Sequence, residues 1–344
     1  PFIFRGALDV GATTINEDGR RLINTFQSTN IRPLNEDAGM WQEFMEHLIP
    51  DHDDRLELMR WCATLIARPE VRITYGVLLI SENQGVGKST LGEAILAPLL
   101  GRWNVSTPSE HDVVNSDFNG WLAHKRLAIV HEIYSGESKK PYNRLKSIIT
   151  DPVVEVNRKY IESYTLENWC HILACSNSLQ PLHLDDEDRR WMVPGVTEIL
   201  KPQEWWRELH NWLNGDGLAS IAWWANEFIE KHEAVVTGHH APMTSAKRAV
   251  INESRSDGQR LAFELAERIA AVDEQVILRV DRVREWVAEQ RGVSADHKYL
   301  EKSLTLRKAL KAGGLKEPIR CAGKPDARMK IEGRWQYVVA NFVI

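Results

Sequence analysis

Three short stretches limit what this chain can fold into more than anything else in it: YGVLLI at 75–80, RLAIV at 126–130 and HILAC at 171–175. Each is continuously apolar rather than alternating, the pattern of a strand covered on both faces in a parallel sheet. Each runs directly into polar residues: the segment 81–90, His131-Glu132, and Ser176-Asn177. In open α/β sheets, ligands sit at the carboxyl ends of the strands. The expectation is therefore an α/β fold, a parallel sheet flanked by helices, with three chemically equipped strand ends meeting at one site.

The first strand end carries the most specific pattern, ISENQGVGKST at 80–90. It approaches G-x-x-x-x-G-K-[ST], the phosphate-binding loop, with Glu82 where the first glycine stands. Gly85 and Gly87 let successive backbone N–H groups turn into one concavity that opens onto a helix N-terminus. Lys88 suits the β- and γ-phosphates, and the Ser89 hydroxyl suits Mg²⁺. The nucleotide-binding stretch is read as Asn83-Gln84-Gly85-Val86-Gly87-Lys88-Ser89-Thr90, and TLGEAILAPLL after it has the period of the helix. A glutamate at position 82 must hold an ordinary backbone conformation or be strained.

ATP hydrolysis also needs a carboxylate for the metal and the attacking water. Glu132, at the end of RLAIVHEI, is the candidate, and His131 stands beside it where a second acid is common. Asn177 can sense the γ-phosphate or orient the water. Arg189 and Arg190, in DDEDRRWMVPG, offer guanidinium charge for the transferring phosphate. They have no evident role in their own subunit, so supply from a neighbour, or pairing with one of the acids at 185–188, are both open.

Around this core, residues 1–70 read as a helical domain. MWQEFMEHLI and DRLELMRWCATLIA have apolar residues at three-and-four spacing, Asp51 to Asp54 cap the second helix, and Pro69 closes it. Residues 71–232 read as an ATPase domain with a helical tail. The tryptophans of that tail (205, 206, 212, 223, 224) have the helical spacing of a packed core rather than a base-stacking platform. Residues 233–258 read as a polar linker with the solvated pair His239-His240. Residues 259–344 read as helices near 259–271, 280–290 and 298–312, then an alternating stretch turning near Gly333, which suggests a winged-helix-like domain.

No apolar run approaches a membrane span, PFIFRGALDV is not a signal peptide, and Cys62, Cys170, Cys175 and Cys321 lack C-x-x-C spacing. A cytoplasmic protein with reduced thiols and no structural metal is expected. Opening on Pro1 rather than methionine, it reads as part of something longer. The net charge of −5 disfavours coating nucleic acid by bulk attraction. Between 297 and 334, however, eleven lysines and arginines face four acids, a local excess suited to phosphate backbones.

The ordered set NQGVGKST, LAIVHE, LACSN and DRRW, with VVEVNRKYIESYTL (153–166) between the second and third, resembles the superfamily 3 helicases. These are AAA+ ATPases of viruses and mobile elements, and the likeness is to the helicase portion of phage and plasmid primase-helicases. It covers roughly residues 40–200. It implies an ATP- and Mg²⁺-dependent DNA helicase working as a homo-oligomeric, hexameric ring in the bacterial host cytoplasm, with a primase or polymerase domain upstream. It further implies that 153–166 is a β-hairpin gripping single-stranded DNA in the central pore through Arg158, Lys159 and Tyr160, with Asn157-Arg158-Lys159 at the tip. Glu82, His131 and the lack of a glycine before the hairpin depart from the pattern. An ATP-switched nucleic-acid-binding assembly module, hydrolysing slowly, is the alternative.

Overall fold

Strands, not helices, begin the chain: β1 (Phe2–Ile3), β2 (Thr14–Glu17) and β3 (Arg20–Asn24) form a sheet in the order β1-β3-β2. β2 and β3 are antiparallel and reverse at Gly19, whose φ of +72° suits glycine. This corrects the helical expectation for 1–70. Thr14–Asn24 alternates around an Asp-Gly pair, a hairpin signal, and the helical period is confined to α1 (Gly39–Leu48) and α2 (His52–Ala67). Asp51 caps α2 as expected, its carboxylate accepting from the N–H groups of Asp53 and Asp54 at 3.0 and 2.9 Å.

The computed structural model describes residues 2–3, 14–17, 19–133, 140–178, 181–294, 296–297, 300–316, 328–331 and 334–342. It comprises two units, Pro1–Leu184 with Asp188–Val250, and Asp185–Glu187 with Ile251–Ile344. Within the first, Trp41, Phe44, Leu58 and Trp61 of α1 and α2 share one buried core with Val77, Leu79 and Ile95. The two helices therefore belong to the sheet's own unit and do not form a separate domain.

The sheet elements follow in chain order. β4 (Gly76–Ile80) leads through the glycine-rich segment to a helix that is π-wound over Thr90–Leu96 and continues as α3 (Ala97–Leu100). β5 (Val105–Ser106), α4 (Glu110–Val114), β6 (Leu127–Val130) and α5 (Lys140–Thr150) come next. Then come the hairpin strands β7 (Val153–Arg158) and β8 (Ile161–Glu167), followed by β9 (His171–Ser176) and β10 (Trp191–Met192). Five strands form an all-parallel sheet in the order β10-β4-β9-β6-β5. The three apolar runs are its three central strands, and β4, β6 and β9 are buried along almost their whole length. β5 and β10, two residues each, carry no period a sequence could show.

α6 (Gln203–Trp212) and α7 (Leu218–His232) complete the helical cover. Trp205, Trp206, Trp212 and Trp224 pack on or in the same core, as their spacing predicts, whereas Trp223 is exposed. The stretch 233–258 is not a plain linker. It contains α8 (Ser245–Glu253), and Lys247 there is fully buried against Asp188, 3.2 Å from its carboxylate. No helix among the described residues is long and apolar enough to cross a membrane.

The second unit runs α9 (Asp257–Ala270), β11 (Ile277–Arg279), α10 (Val280–Gln290), α11 (Ser303–Ala312), β12 (Arg328–Ile331) and β13 (Arg334–Ala340). Ser256 opens α9 in a reciprocal capping box with Gln259. The strands form an antiparallel sheet in the order β11-β13-β12. The helix expected from 298 starts at Ser303, and the turn expected at Gly333 lies outside the described residues. Of the basic residues counted there, Lys298, Arg320 and Lys324 also lie outside them. Arg307 is buried, its guanidinium 5.0 Å from the Tyr337 ring centre, whereas Lys302, Lys308, Lys311 and Lys316 are exposed.

Candidate functional site

The order of the central strands builds the site. β9 lies between β4 and β6, so Asn177 after β9 stands between the segment that follows β4 and Glu132 that follows β6. Together they line a cleft of about 680 Å³, a size common for small-molecule sites.

Within the segment after β4, Gly85 and Gly87 have φ values of +78° and +112°, and Glu82 is not among the residues with positive φ. The glutamate thus holds an ordinary conformation, and the left-handed turns fall on glycine. A clamp that the sequence does not advertise fixes the start of the segment. The Glu198 carboxylate accepts from the N–H groups of Glu82 and Asn83 at 2.9 and 2.8 Å, and the Asn83 side-chain amide donates to the Glu198 carbonyl at 2.8 Å. Gly87 rests on an aromatic floor. A Cβ there would lie 2.9 Å from both Phe44 Cε2 and Trp206 Cη2. Beneath Val86, the His47 ring is set edge-on against Trp205 and Trp206, and burial holds its pKa below the usual histidine value.

Lys88 is buried beside Asn177. Its ammonium donates to Asn177 Oδ1 at 2.9 Å, to the Ser81 carbonyl at 3.1 Å, and to the Ser81 hydroxyl. Burial lowers its pKa below the usual lysine value, so an anion entering the cleft would be stabilised by a charge that water screens poorly. Ser89 and Thr90 follow, and Leu91 N–H bonds the Gly87 carbonyl at 3.1 Å as the helix starts. Close packing of Gly92 on Ile129 and Leu173 lays that helix on the sheet.

Glu132 is exposed and lines the cleft with a φ of +53°. A non-glycine residue in that region is strained by about 1–3 kcal/mol and turns up disproportionately at functional positions. The Nε2 of His131 lies 2.8 Å from Glu93 Oε1. Glu93 is four residues after Ser89 on the helix, a spacing that could have exposed it; Glu198 left no such signal. Trp206 and His210 of α6 also line the cleft and were missed as site residues, because the tryptophans read as core. Among the described residues, no group of three or more His, Cys, Asp or Glu side chains is arranged to hold a metal ion. Ser89 and Glu132 are oxygen donors of the kind a hard cation takes.

Arg189 and Arg190 stand elsewhere. Trp191 pairs with Gly76, the first residue of β4, so both arginines lie at the end of the sheet opposite the cleft of their own chain. Neither pairs with an acid at 185–188. Arg189 Nη1 is 3.4 Å from His240 Nε2. The nearby Asp188 instead accepts from the N–H groups of Arg190 and Trp191, from Tyr142 Oη at 2.8 Å, and from buried Lys247.

The hairpin β7–β8 forms its own two-stranded sheet. Its reversal is Lys159-Tyr160, not Asn157-Arg158-Lys159, because Arg158 pairs with Ile161. Tyr160 is 97% exposed with φ +63°, and Lys159 is exposed beside it. Arg158 turns back, its Cγ touching the Gly120 position and its guanidinium 6.0 Å from the Tyr164 ring centre. Asn119 braces the strand by accepting from Asn157 N–H at 2.7 Å and donating to the Glu155 carbonyl at 2.8 Å.

A family described as a family of unknown function, DUF5906, matches residues 79–190. The chain is 27% identical over 268 residues to a DNA primase-polymerase of the Nitratiruptor phage NrS-1. That match takes in 73% of this chain and 35% of the relative, so the chain spans about a third of that protein's length. Two apo structures of the NrS-1 C-terminal region are similar in fold. One superposes with a TM-score of 0.65 at 20% identity over 98% of this chain and 84% of that one. The other gives 0.61 at 22% identity over 91% and 72%. At such identities the likeness speaks for the fold.

Proposed function

We propose that this chain is the motor portion of a phage-type replication protein: an ATP-dependent DNA helicase or translocase of AAA+, superfamily 3 type, acting as a homo-oligomeric ring, hexameric by the resemblance. The observation that carries this reading is the single cleft that gathers Lys88 and its glycine-rich loop, Asn177 and Glu132 from the ends of three adjacent parallel strands.

ATP would lie with its phosphates on the backbone N–H groups of the 83–90 loop and on Lys88. Ser89 and Glu132 would hold Mg²⁺, which would neutralise charge that builds on the phosphates. Glu132 takes the proton of the attacking water and Asn177 orients that water against Lys88. Arg190, with Arg189 beside it, faces away from its own cleft, which favours its supplying charge to a neighbouring subunit's γ-phosphate. Lys159 grips the DNA backbone, and Tyr160 offers an exposed ring to unpaired bases. Two helices followed by a β-hairpin, with exposed lysines, favour a winged-helix-like, DNA-contacting C-terminal module. Similarity to part of a primase-polymerase supports a priming or polymerising domain elsewhere in the full protein.

The test is steady-state ATPase activity with and without single-stranded DNA, for wild type and Lys159→Ala. DNA stimulation that disappears in the variant is expected. Hydrolysis indifferent to DNA in both proteins would sink the translocase and leave an assembly switch.

A further inference from the structure

The wall of the cleft contributed by α6 differs in chemistry from the rest. The strand ends and the helix after the loop bring charged and amide side chains, whereas α6 brings an indole and an imidazole, Trp206 and His210, at i and i+4 on one helix face. Trp206 is half-buried and fixed. Trp205 meets it edge-on with ring centres 4.9 Å apart, and His47 and Phe44 hold it at 6.0 and 6.4 Å. Its Cη2 abuts the Gly87 position, so the indole borders the loop that cradles the phosphates in the reading above. A planar group attached to those phosphates would meet a rigid aromatic surface.

We propose that Trp206, assisted by His210, is the nucleobase subsite of this cleft, and that it binds by stacking without reading the base edge. Sharp discrimination between bases needs hydrogen-bonding groups held in place, so that the wrong base leaves them unpaired. Apart from the run Lys88-Ser89-Thr90, the Glu93–His131 pair and the strand-end residues, the polar side chains on the cleft besides Trp206 itself are Gln84 and His210. Among the described residues, neither is held by a side-chain hydrogen bond to the protein. Every base has a π-face, and stacking tolerates all of them. The substrate class is therefore nucleoside triphosphates of any base, purines somewhat tighter for their larger rings.

The inference rests on the cleft's being a triphosphate site, and the experiment separates the two. Binding of the Mg²⁺ complexes of ATP, GTP, CTP and UTP, and of inorganic tripolyphosphate, is measured by calorimetry. The proteins are the wild type, Trp206→Ala, Trp206→Phe and His210→Ala. The four nucleotides are expected to bind wild type within about tenfold of one another and more tightly than tripolyphosphate. Trp206→Ala weakens all four by roughly tenfold or more and leaves tripolyphosphate unchanged, and Trp206→Phe restores most of the loss. His210→Ala shows a smaller loss of the same kind. Equal weakening of tripolyphosphate would mean that Trp206 only props the loop, and overturns the subsite. A hundredfold preference for one base overturns the stacking mode. Binding of tripolyphosphate as tight as ATP removes the subsite but spares the phosphate site. Failure of wild type to bind either class removes the underlying reading itself.

Discussion

Gly85 and Gly87 both have left-handed backbones, yet alanine should affect them very differently. At Gly85 (φ +78°), a Cβ would touch only Leu200 Cδ2, at an ordinary 3.9 Å. The cost is then conformational, roughly 1–2 kcal/mol. At Gly87 (φ +112°), the same atom would lie 2.9 Å from both Phe44 and Trp206. Neither ring can step aside: Phe44 is fully buried between α1 and the core, and Trp206 is boxed in by Trp205 and His47. Overpacking of a fixed core adds roughly 1–3 kcal/mol, for a total of about 2–5 kcal/mol. For a unit of this size 1 kcal/mol moves Tm by about 2–4 °C. Gly87→Ala should thus melt roughly 4–20 °C below wild type, and Gly85→Ala roughly 2–8 °C below. Thermal unfolding followed by tryptophan fluorescence measures both. If the two variants melt together, the Phe44 and Trp206 rings give way to the added methyl, and the argument for Trp206 as a fixed wall goes with it.

Three further outcomes are expected. Asp188→Ala leaves Lys247 buried without its carboxylate and removes the acceptor of one Tyr142 bond and of two N–H groups, which should cost about 3–5 kcal/mol in urea unfolding; a loss under 1 kcal/mol would contradict the network. His171 is buried and neutral. Its Nε2 accepts from Ile73 N–H at 2.9 Å and its Nδ1 donates to the Arg126 carbonyl, while burial and then the Arg126 charge hold its pKa well below the usual value. The unfolded chain takes the proton first, so this group's contribution is present above about pH 6.5 and falls by about 1.4 kcal/mol per pH unit below it. Urea midpoints between pH 7 and 5 should fall accordingly, and the slope should flatten in His171→Gln. Tyr160→Gly removes a 97% exposed ring from a left-handed position. Its melting temperature should match or exceed wild type while affinity for single-stranded DNA drops, and a destabilised variant with unchanged affinity would assign the ring to the fold instead.

What could be read from the residues alone was the part governed by local rules. Continuous apolar runs announced β4, β6 and β9 because both faces of those strands are covered. The glycines at 85 and 87 announced a left-handed path because no other residue takes it cheaply. Asp51 announced its helix because a carboxylate at that position has N–H groups to satisfy. Contacts between distant segments were hidden. Glu198 reaches the loop across more than a hundred residues, and Trp206 serves the core and the cleft at once, so its spacing revealed only the first. Arg158 sat in the expected tip by sequence. A register shift between Val156 and Arg158 moved the reversal onward and turned its side chain back on Tyr164.

Asp188 has a mechanical consequence. One carboxylate holds the backbone from which Arg189 and Arg190 project, and the same carboxylate is bonded to Tyr142 of α5, whose last residue, Thr150, is three positions from the first strand of the hairpin. Lys247, fully buried, holds the same carboxylate from a third side. The backbone of the arginine pair and α5, which leads to the base of the hairpin, therefore share one buried anchor.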